Sequence, residues 1–453
     1  MVAANCGTFT VPKGAVRRAG VLMRILDWCV PLERGERRVV WLAFACNFAL
    51  LADYYLLRPV RDTLATEFAG PQLNLLFVGT FVAMVLCAPV YGWLTAHFRL
   101  TKLLPGLFWF WLANIAIFAW WLRLAPASRW AAGTYFVWFS VTNLYLISVF
   151  WSLMVDLFTA AQATRLFAFI AAGGSIGAII GPLFTRTQVL SVGLDGVLWR
   201  AAGGFVVVIV LVHALVREKG RASTAARQGA AAAQTSTLDH ALHGNALSGF
   251  RQVLGSRYMQ QQALFMLFMT WIATFGYFLQ TDLLARSIGS LTGRAVVIAD
   301  LDLVVNAATA AVLVLGVARF MRRFGVTAAL LLNPLLMIAA FLAVAVSPTL
   351  RMVQLLQAIR RVAQYAIARP SREICFTVLD QDRRYQAKNV IDTAVYRLGD
   401  VTAALLQGGM RMAGFGLLAT VGLGVVVAAL WGASALALGR QFERLRAYQR
   451  GAA

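Results

Sequence analysis

The chain has 453 residues, of which 60% are hydrophobic and only 13% are charged, and its mean hydropathy is +0.71. These values exclude a soluble globular protein of this length. The formal net charge is +22, which Lys and Arg in the loops on one side of a membrane would account for without nucleic acid as a partner. The composition therefore predicts an integral membrane protein.

Apolar runs of about 20 residues, the length that crosses a bilayer as a helix, recur along the chain. They predict about twelve transmembrane helices, at 37–57, 73–96, 103–124, 131–157, 166–189, 197–216, 260–284, 295–318, 327–346, 350–379, 388–412 and 415–438. Residues 1–36 contain no cleavable signal, so the first span is expected to act as the insertion signal. Residues 15–30 fit either a basic amphipathic surface helix or a disordered tail.

The distribution of basic residues predicts the orientation of the chain. Arg and Lys are concentrated in the terminal segments and in the loops on their side, the central loop included, and are sparse in the opposite loops. Because cytoplasmic loops are enriched in these residues, both termini are expected in the cytoplasm. The five cysteines are widely spaced and form no Cys-x-x-Cys pair, so neither a disulfide framework nor a zinc site is indicated, and no cofactor is expected.

The spans divide into two related sets of six. Residues 217–246 have the Ala-, Gly-, Gln- and Ser-rich composition of a flexible linker. The predicted organisation is a cytoplasmic segment at 1–36, a six-helix bundle at 37–216, a linker at 217–258, a second bundle at 259–440 and a tail at 441–453. Features such as Tyr55 and Tyr277, or Gly177 and Gly399, recur at an offset of 222 to 224 residues.

Such a parallel repeat of six helices resembles the architecture of the major facilitator superfamily. The resemblance implies an all-α integral membrane protein made of two pseudo-symmetric bundles. It also implies a substrate site between them near the middle of the bilayer, lined by the first, fourth, seventh and tenth helices.

The tenth span contains the largest group of charged residues inside the predicted membrane region. Arg361, Tyr365, Arg369 and Arg372 follow at spacings of four, four and three, which places them on one face of an α-helix. A charge inside the bilayer costs about 2.5–3.5 kcal/mol on insertion scales, so such residues usually face a polar cavity or a partner. Guanidinium groups bind phosphate or carboxylate in a bidentate manner.

The first span ends in the sequence "YYLLRPVRDTL" and gives a second cationic group. Arg58 and Arg61 lie three residues apart, and Pro59 between them could break the helix. Tyr54 and Tyr55 offer flat rings on which a base could stack. The alternative is an aromatic and arginine belt at the membrane interface.

Other interpretations compete with substrate binding. The arginines could form buried ion pairs that lock helices together or gate the two halves, with partners among Asp53, Asp156, Glu373, Asp392 and Asp400. Gly173, Gly177 and Gly181 lie on one face of the fifth span and indicate close helix packing. The four histidines form no catalytic or metal-binding pattern and no Walker motif is present, so an enzyme is not expected.

Three stretches together resemble the ATP/ADP translocase family, in particular its relatives in free-living bacteria. They are "YYLLRPVRDTL", "FWSLMVDLFTAAQATRLFAFIAAGGSIGAIIGP" and "PSREICFTVLDQDRRYQAKNVIDTAVYRLGD". The resemblance implies antiport of nucleotides or similar phosphorylated anions across the bacterial inner membrane. By position, the family's basic and acidic pair at the end of the first helix corresponds to Arg61 and Asp62. Its Lys-x-x-Ile-Asp motif corresponds to Lys388, Ile391 and Asp392.

The leading hypothesis is a monomeric secondary transporter of an organic anion, most plausibly a nucleotide, that works by alternating access. The predicted substrate-binding residues are Arg58, Arg61, Arg361, Arg369, Arg372, Tyr54, Tyr55, Tyr365 and Lys388. The predicted gating or coupling residues are Asp53, Asp62, Asp156, Glu373, Asp392, Arg397 and Asp400. Two alternatives are a proton-coupled transporter of another anion or drug, with Asp53 as the titrating group, and a membrane nucleotide-binding protein that does not transport.

Overall fold

The structure is a computed structural model that describes residues 36–68, 72–97, 100–228, 246–379, 387–388 and 390–451. The proposed amphipathic helix at 15–30 lies outside these residues, as does the middle of the predicted linker. The described residues are almost entirely helical and contain no strand.

The first half consists of five long helices joined by short connections. They are α1 (Arg37–Ala65), α2 (Leu73–His97), α3 (Leu100–Leu124), α4 (Arg129–Leu157) and α5 (Ala160–Gln228). A 3-10 turn at Thr66–Phe68 follows α1. Helix α5 is broken at Gly193, whose φ of 74° is a left-handed value that glycine adopts without strain. The two arms of α5 correspond to the fifth and sixth predicted spans.

The second half repeats this arrangement with more interruptions. Its helices are α6 (Ala246–Gly255), α7 (Arg257–Ser287), α8 (Leu291–Leu315), α9 (Val317–Val346), α10 (Leu350–Ala363), α11 (Arg369–Cys375), α12 (Tyr396–Met412) and α13 (Leu417–Gly451). A π-helical turn at Gln364–Ala368 joins α10 to α11, and another at Ile391–Val395 precedes α12. Gly325, with a φ of 81°, breaks α9 where the ninth predicted span begins.

Nine helices among the described residues are long and apolar enough to cross a membrane. One of them is α5, which contributes two of the predicted spans across its break. The tenth and eleventh predicted spans are not among the nine because α10, which ends at one π turn, has 14 residues and α12, which begins after the other, has 17. The chain thus follows the predicted order of spans, and the prediction of an all-α membrane protein is confirmed.

The linker prediction needs a correction at its two ends. Helix α5 continues to Gln228, twelve residues beyond the predicted end of the sixth span, and α6 occupies Ala246–Gly255. The Ala-rich composition of residues 222–228 that suggested flexibility is also favourable for a helix that extends from a preformed span.

The predicted glycine stripe on α5 is confirmed. A Cβ atom at Gly173, Gly177 or Gly181 would lie 2.6 Å or less from a backbone carbonyl oxygen of α1, so only glycine permits this approach. The same contact recurs in the second half, where a Cβ at Gly399 would meet Thr270 on α7. Gly177 contacts Phe48, and the offset from both members of that pair to Gly399 and Thr270 is 222 residues, which supports the internal repeat.

The halves have separate apolar cores and meet along α1, α2 and α5 on one side and α8 and α12 on the other. Two inter-half contacts lie at the end of the molecule that carries the connection between α7 and α8. Arg294 Nη1 donates to Glu67 Oε1 at 2.9 Å and to Thr66 Oγ1 at 2.7 Å, and Arg186 forms an ion pair with Asp300. We call these contacts the Arg294 clamp.

Candidate functional site

A cavity of about 260 Å³ lies between the two halves. Its walls are formed by α1, α2 and α4 from the first half, and by α7, α10 with its π turn and α12 from the second. Polar side chains dominate the lining, in contrast to the apolar cores of the halves. The lining includes Tyr54, Tyr55, Arg58, Arg61, Phe77, Phe136, Asn143, Tyr277, Arg360, Gln364, Tyr365, Tyr396, Arg397 and Asp400.

Arg58 and Arg61 project from α1 into this cavity. The guanidinium of Arg61 donates from Nε to Asp62 Oδ1 at 2.8 Å and lies over the ring of Phe136. Arg58 lies 3.4 Å from Asp302 across the interface between the halves. Helix α1 runs through Pro59 without interruption, so the predicted helix break does not occur and the two guanidinium groups stay on one helical face.

Asp302 on α8 is a charged residue at this site that the sequence analysis missed. Its side chain is fully buried, and its Oδ1 atom lies 2.6 Å from Arg361 Nη1 and 3.4 Å from Arg58 Nη1. One carboxylate therefore holds an arginine from each half. The signal was present in the sequence as an aspartate inside the apolar run "IADLDLVV", where a charge requires a partner.

Five tyrosine side chains surround the charged groups. Tyr54, Tyr55 and Tyr365 line the cavity where they were expected, and Tyr277 and Tyr396 join them without having been predicted. The Tyr54 ring stacks on Phe139 with centroids 5.3 Å apart. Tyr277 donates its hydroxyl hydrogen to Asp62 Oδ1 at 3.1 Å and so connects α7 with α1.

Arg360 is the cavity arginine with the least compensated charge. Its side chain is only 9% exposed, and Nε donates to Gln357 Oε1 and Nη1 to Gln364 Oε1, both at 2.8 Å. Gln357 in turn donates to Gln280 Oε1 on α7 at 2.8 Å. Within the described residues Arg360 has no carboxylate partner, so this buried cation is held entirely by neutral amides.

Arg397 and Asp400 occupy the wall formed by α12. They form an ion pair of 3.3 Å within that helix, and Thr274 on α7 donates to the other oxygen of Asp400, also at 3.3 Å. Arg397 lies over the ring of Tyr396. This pair places both a cation and a titratable carboxylate at the cavity surface.

A second cluster of predicted site residues lies away from the cavity, between α11 and the segment that leads to α12. Arg372 is buried and forms an ion pair of 2.6 Å with Asp392, while Lys388 pairs with Glu373. Arg372 and Lys388 both lie near the ring of Phe376. Four predicted residues are thus brought together with one another, and none of them lines the cavity.

The π turn explains why the tenth span does not present one cationic face. A π turn contains one more residue than an α-helical turn, so the face that follows it is rotated. Tyr365 within the turn lines the cavity, while Arg361 before it points to Asp302 and Arg372 after it points to Asp392. Arg369 is exposed and is not part of the cavity lining.

Two further predicted carboxylates lie elsewhere. Asp53 is buried between α1 and the second arm of α5, with its Oδ1 atom where a side chain on Gly204 would have to be. Asp156 is exposed near the end of α4. Neither is part of the cavity lining.

The charges in and directly behind the cavity wall do not balance. Among the residues that the structure describes, five guanidinium groups, those of Arg58, Arg61, Arg360, Arg361 and Arg397, face three carboxylates, those of Asp62, Asp302 and Asp400. The excess of positive charge in this cavity favours an anion. The arrangement can bind a charged molecule between two halves that could move relative to each other.

A helical membrane protein with two related halves and a polar cavity between them belongs to the class of membrane transporters. The sequence from 43 to 362 matches the model of the Major Facilitator Superfamily. The chain belongs to this family, and its fold is that of a transporter rather than of an enzyme.

Solved structures of transporters share this fold at low sequence identity. The nucleoside transporter NupG has a TM-score of 0.57 and 13% identity over 91% of this chain and 99% of its own. A bacterial homologue of the iron transporter ferroportin, in its inward-facing state, has a TM-score of 0.60 and 12% identity over 87% and 98%. The D-xylose-proton symporter has a TM-score of 0.56 and 13% identity over 89% and 96%. The comparison with curated protein sequences gives no match.

Proposed function

We propose that the protein is a secondary transporter of an organic anion that carries phosphate, most plausibly a nucleotide, and that it works by alternating access. The observation that carries this proposal is the cavity between the halves, where buried Arg360 has no carboxylate partner among the described residues. Solved structures with this fold include a nucleoside transporter and a sugar symporter, so the fold alone leaves the cargo open, and the charge of the cavity supports an anion.

Arg360 is the best candidate for the phosphate-binding residue. Arg58, Arg61 and Arg361 are already held by Asp62 or Asp302, so an anion would have to compete with a buried carboxylate at each of them. At Arg360 it would meet a guanidinium whose bonds to Gln357 and Gln364 use Nε and Nη1. The Nη2 group of this fork remains for a phosphate oxygen.

The aromatic part of the lining suits a flat group. Tyr55 and Tyr365 both line the cavity, Tyr55 on α1 in the first half and Tyr365 on the π turn in the second. Rings of this kind bind a base by offset stacking, which adds about 0.5–1.5 kcal/mol beyond the burial of area. A nucleotide would therefore bind with its phosphate at Arg360 and its base stacked on a tyrosine ring.

The test is uptake of labelled ATP into proteoliposomes loaded with ATP, ADP, orthophosphate or buffer alone. We expect the native chain to take up ATP only when the liposomes contain nucleotide. In Arg360→Gln the rate of uptake should fall by about tenfold to a hundredfold, because a hydrogen bond to a charged group contributes about 1.5–3 kcal/mol. Arg351→Gln is the control, since Arg351 is exposed at the start of α10. Equal uptake by the two variants would refute the role of Arg360.

A second candidate is proton-coupled transport of another anion, which the position of Asp400 in the cavity wall favours. In that case a pH gradient alone would drive uptake, and Asp400→Asn would abolish the response to the gradient. Asp53, the titrating group expected from the sequence, faces Gly204 on the second arm of α5 and does not line the cavity. Asp53→Asn should therefore leave the response intact. Uptake of nucleotide that is indifferent to the pH gradient would exclude this candidate.

A further inference from the structure

A second cavity lies in the first half, outside the proposed transport site. It is a groove of about 890 Å³ between α2, α3 and α4. Helices α2 and α3 touch each other at few places although they are neighbours in sequence. The space that they leave opens to the side of the bundle, where Leu75, Val90 and Phe110 line the groove and are exposed.

The dimensions of the groove fit the bilayer. On α2 the lining extends from Leu75 to Leu94, a rise of roughly 28 Å along a helix axis, and the hydrocarbon core of a bilayer is about 30 Å thick. The lining is almost entirely apolar along this length. The groove therefore suits an elongated apolar occupant that lies parallel to the helices.

One end of the groove carries a positive charge. Arg129 begins α4 and is exposed, and its Nη2 atom donates to Glu67 O at 2.7 Å and to Gln72 Oε1 at 2.6 Å. These partners are uncharged, and none of the described carboxylates forms an ion pair with Arg129. Trp130 beside it is 82% exposed, as is typical of an indole at the level of the lipid headgroups.

We propose that this groove holds the acyl chains of an anionic phospholipid, with its phosphate against Arg129. Charge complementarity favours this occupant, because a neutral hydrocarbon or an apolar helix would bring no anionic partner for Arg129, which has none among the described residues. A phosphate diester offers the oxygen acceptors that the remaining Arg129 donors require. The apolar length below it accommodates the chains.

The site is placed where it can act on transport. Helices α2 and α4 form a shared wall between groove and cavity, with Phe77 and Phe136 on the cavity side and Leu76 and Val137 on the groove side. A lipid in the groove would support this wall from behind.

Native mass spectrometry of the full chain in detergent, titrated with phosphatidylglycerol or with phosphatidylcholine of the same chains, tests the proposal. We expect one tightly retained phosphatidylglycerol and weaker retention of phosphatidylcholine. Arg129→Gln should weaken phosphatidylglycerol binding by about tenfold. Arg351→Gln should leave it unchanged, since Arg351 has the equivalent position in the second half, 222 residues along the chain, and is exposed.

A second variant tests the groove rather than the charge. Ala83→Trp fills the lining of α2 and should reduce the binding of both lipids. Equal retention of the two lipids by the native chain, or equal losses in Arg129→Gln and Arg351→Gln, would overturn the proposal. So would unchanged retention in a folded Ala83→Trp chain. If Ala83→Trp does not fold, Arg129→Gln and the comparison of lipids decide alone. A partner helix as the occupant would appear as a protein complex that added lipid displaces.

Discussion

At the scale of single residues, the nature of a hydrogen-bond partner determines which arginine is available to a substrate. Arg361 and Arg360 are neighbours on α10 and both are buried, but Arg361 is held by a carboxylate and Arg360 by amides. A buried ion pair is costly to break because it leaves the other charge uncompensated. A glutamine oxygen orients a guanidinium and leaves its charge unmatched.

The first residue-scale prediction concerns this neutral partner. Gln357→Glu would place a carboxylate 2.8 Å from Arg360 Nε, at the position of the present amide oxygen. We expect the KM for the transported anion to rise by about tenfold, because the new pair competes with the substrate. The measurement is the concentration dependence of uptake into proteoliposomes.

A double-mutant cycle separates this effect from damage to the fold. In a chain that already carries Arg360→Gln, the additional change Gln357→Glu should have little further effect on KM, since the charge with which it competes is gone. Losses that simply add in the double variant would show that Gln357 acts on the site by another route.

At the scale of elements, the contact between α1 and α5 depends on the glycines of α5, which have no side chain. A Cβ at Gly177 would lie 2.3 Å from the carbonyl oxygen of Phe48, and a methyl group there forces the helices apart. Close approach of this kind provides the van der Waals packing that holds membrane helices together.

Gly177→Ala should therefore destabilise the protein, by about 1–3 kcal/mol as is typical of overpacked sites. Gly203→Ala on the second arm of α5 is the matched control, because no atom lies within 4 Å of a Cβ placed there. Thermal unfolding of the purified chain in detergent measures both. A lower midpoint in the Gly203 variant as well would contradict the packing explanation, because alanine at an open helical position should raise helix stability.

The helices also show which features of the fold could be predicted from the sequence. Length and apolarity predicted the course of the helices, and the spacing of three glycines predicted a contact, because both signals are local. The prediction of one cationic face on the tenth span assumed an uninterrupted α-helix. The π turn at Gln364–Ala368 changes the phase, and nothing in "QYAIA" marks such a turn.

The candidate site was predicted only in part, because the sequence shows which span a residue belongs to but not which side chains meet in the fold. Arg58, Arg61, Tyr54, Tyr55 and Tyr365 could be placed at a cavity because they sit in spans that face the middle of such a bundle. Which arginine pairs with which carboxylate depends on contacts between distant parts of the chain. Asp302 and Gln357 acquire their roles only when α8 and α10 are packed together.

At the scale of the whole molecule, the Arg294 clamp joins the two halves at one end. Arg294 reaches from α8 to Thr66 and Glu67 just beyond α1, and Arg186 on α5 reaches Asp300. If the halves rock about the central site, as the proposed mechanism requires, these contacts must open in the opposite state.

Arg294→Gln should shift the population toward the state that is open at this end. Labels at Gln72 and Gly289 in a cysteine-free chain would report it as an increased distance by double electron-electron resonance spectroscopy. Arg286→Gln is the control, because Arg286 lies at the same end but pairs with Asp282 within its own half. An unchanged distance in Arg294→Gln would show that the clamp does not hold the halves.

The amide-held charge of Arg360 has a consequence for the protein when it carries nothing. In the intermediate that is closed at both ends, this guanidinium would be shut off from bulk water with no counterion. Such an uncompensated charge costs several kcal/mol, and each 1.36 kcal/mol added to a barrier slows a step about tenfold. The conformational change of the empty transporter would then be hundreds of times slower than that of the substrate-bound transporter. Every anion that leaves would have to be matched by one that arrives.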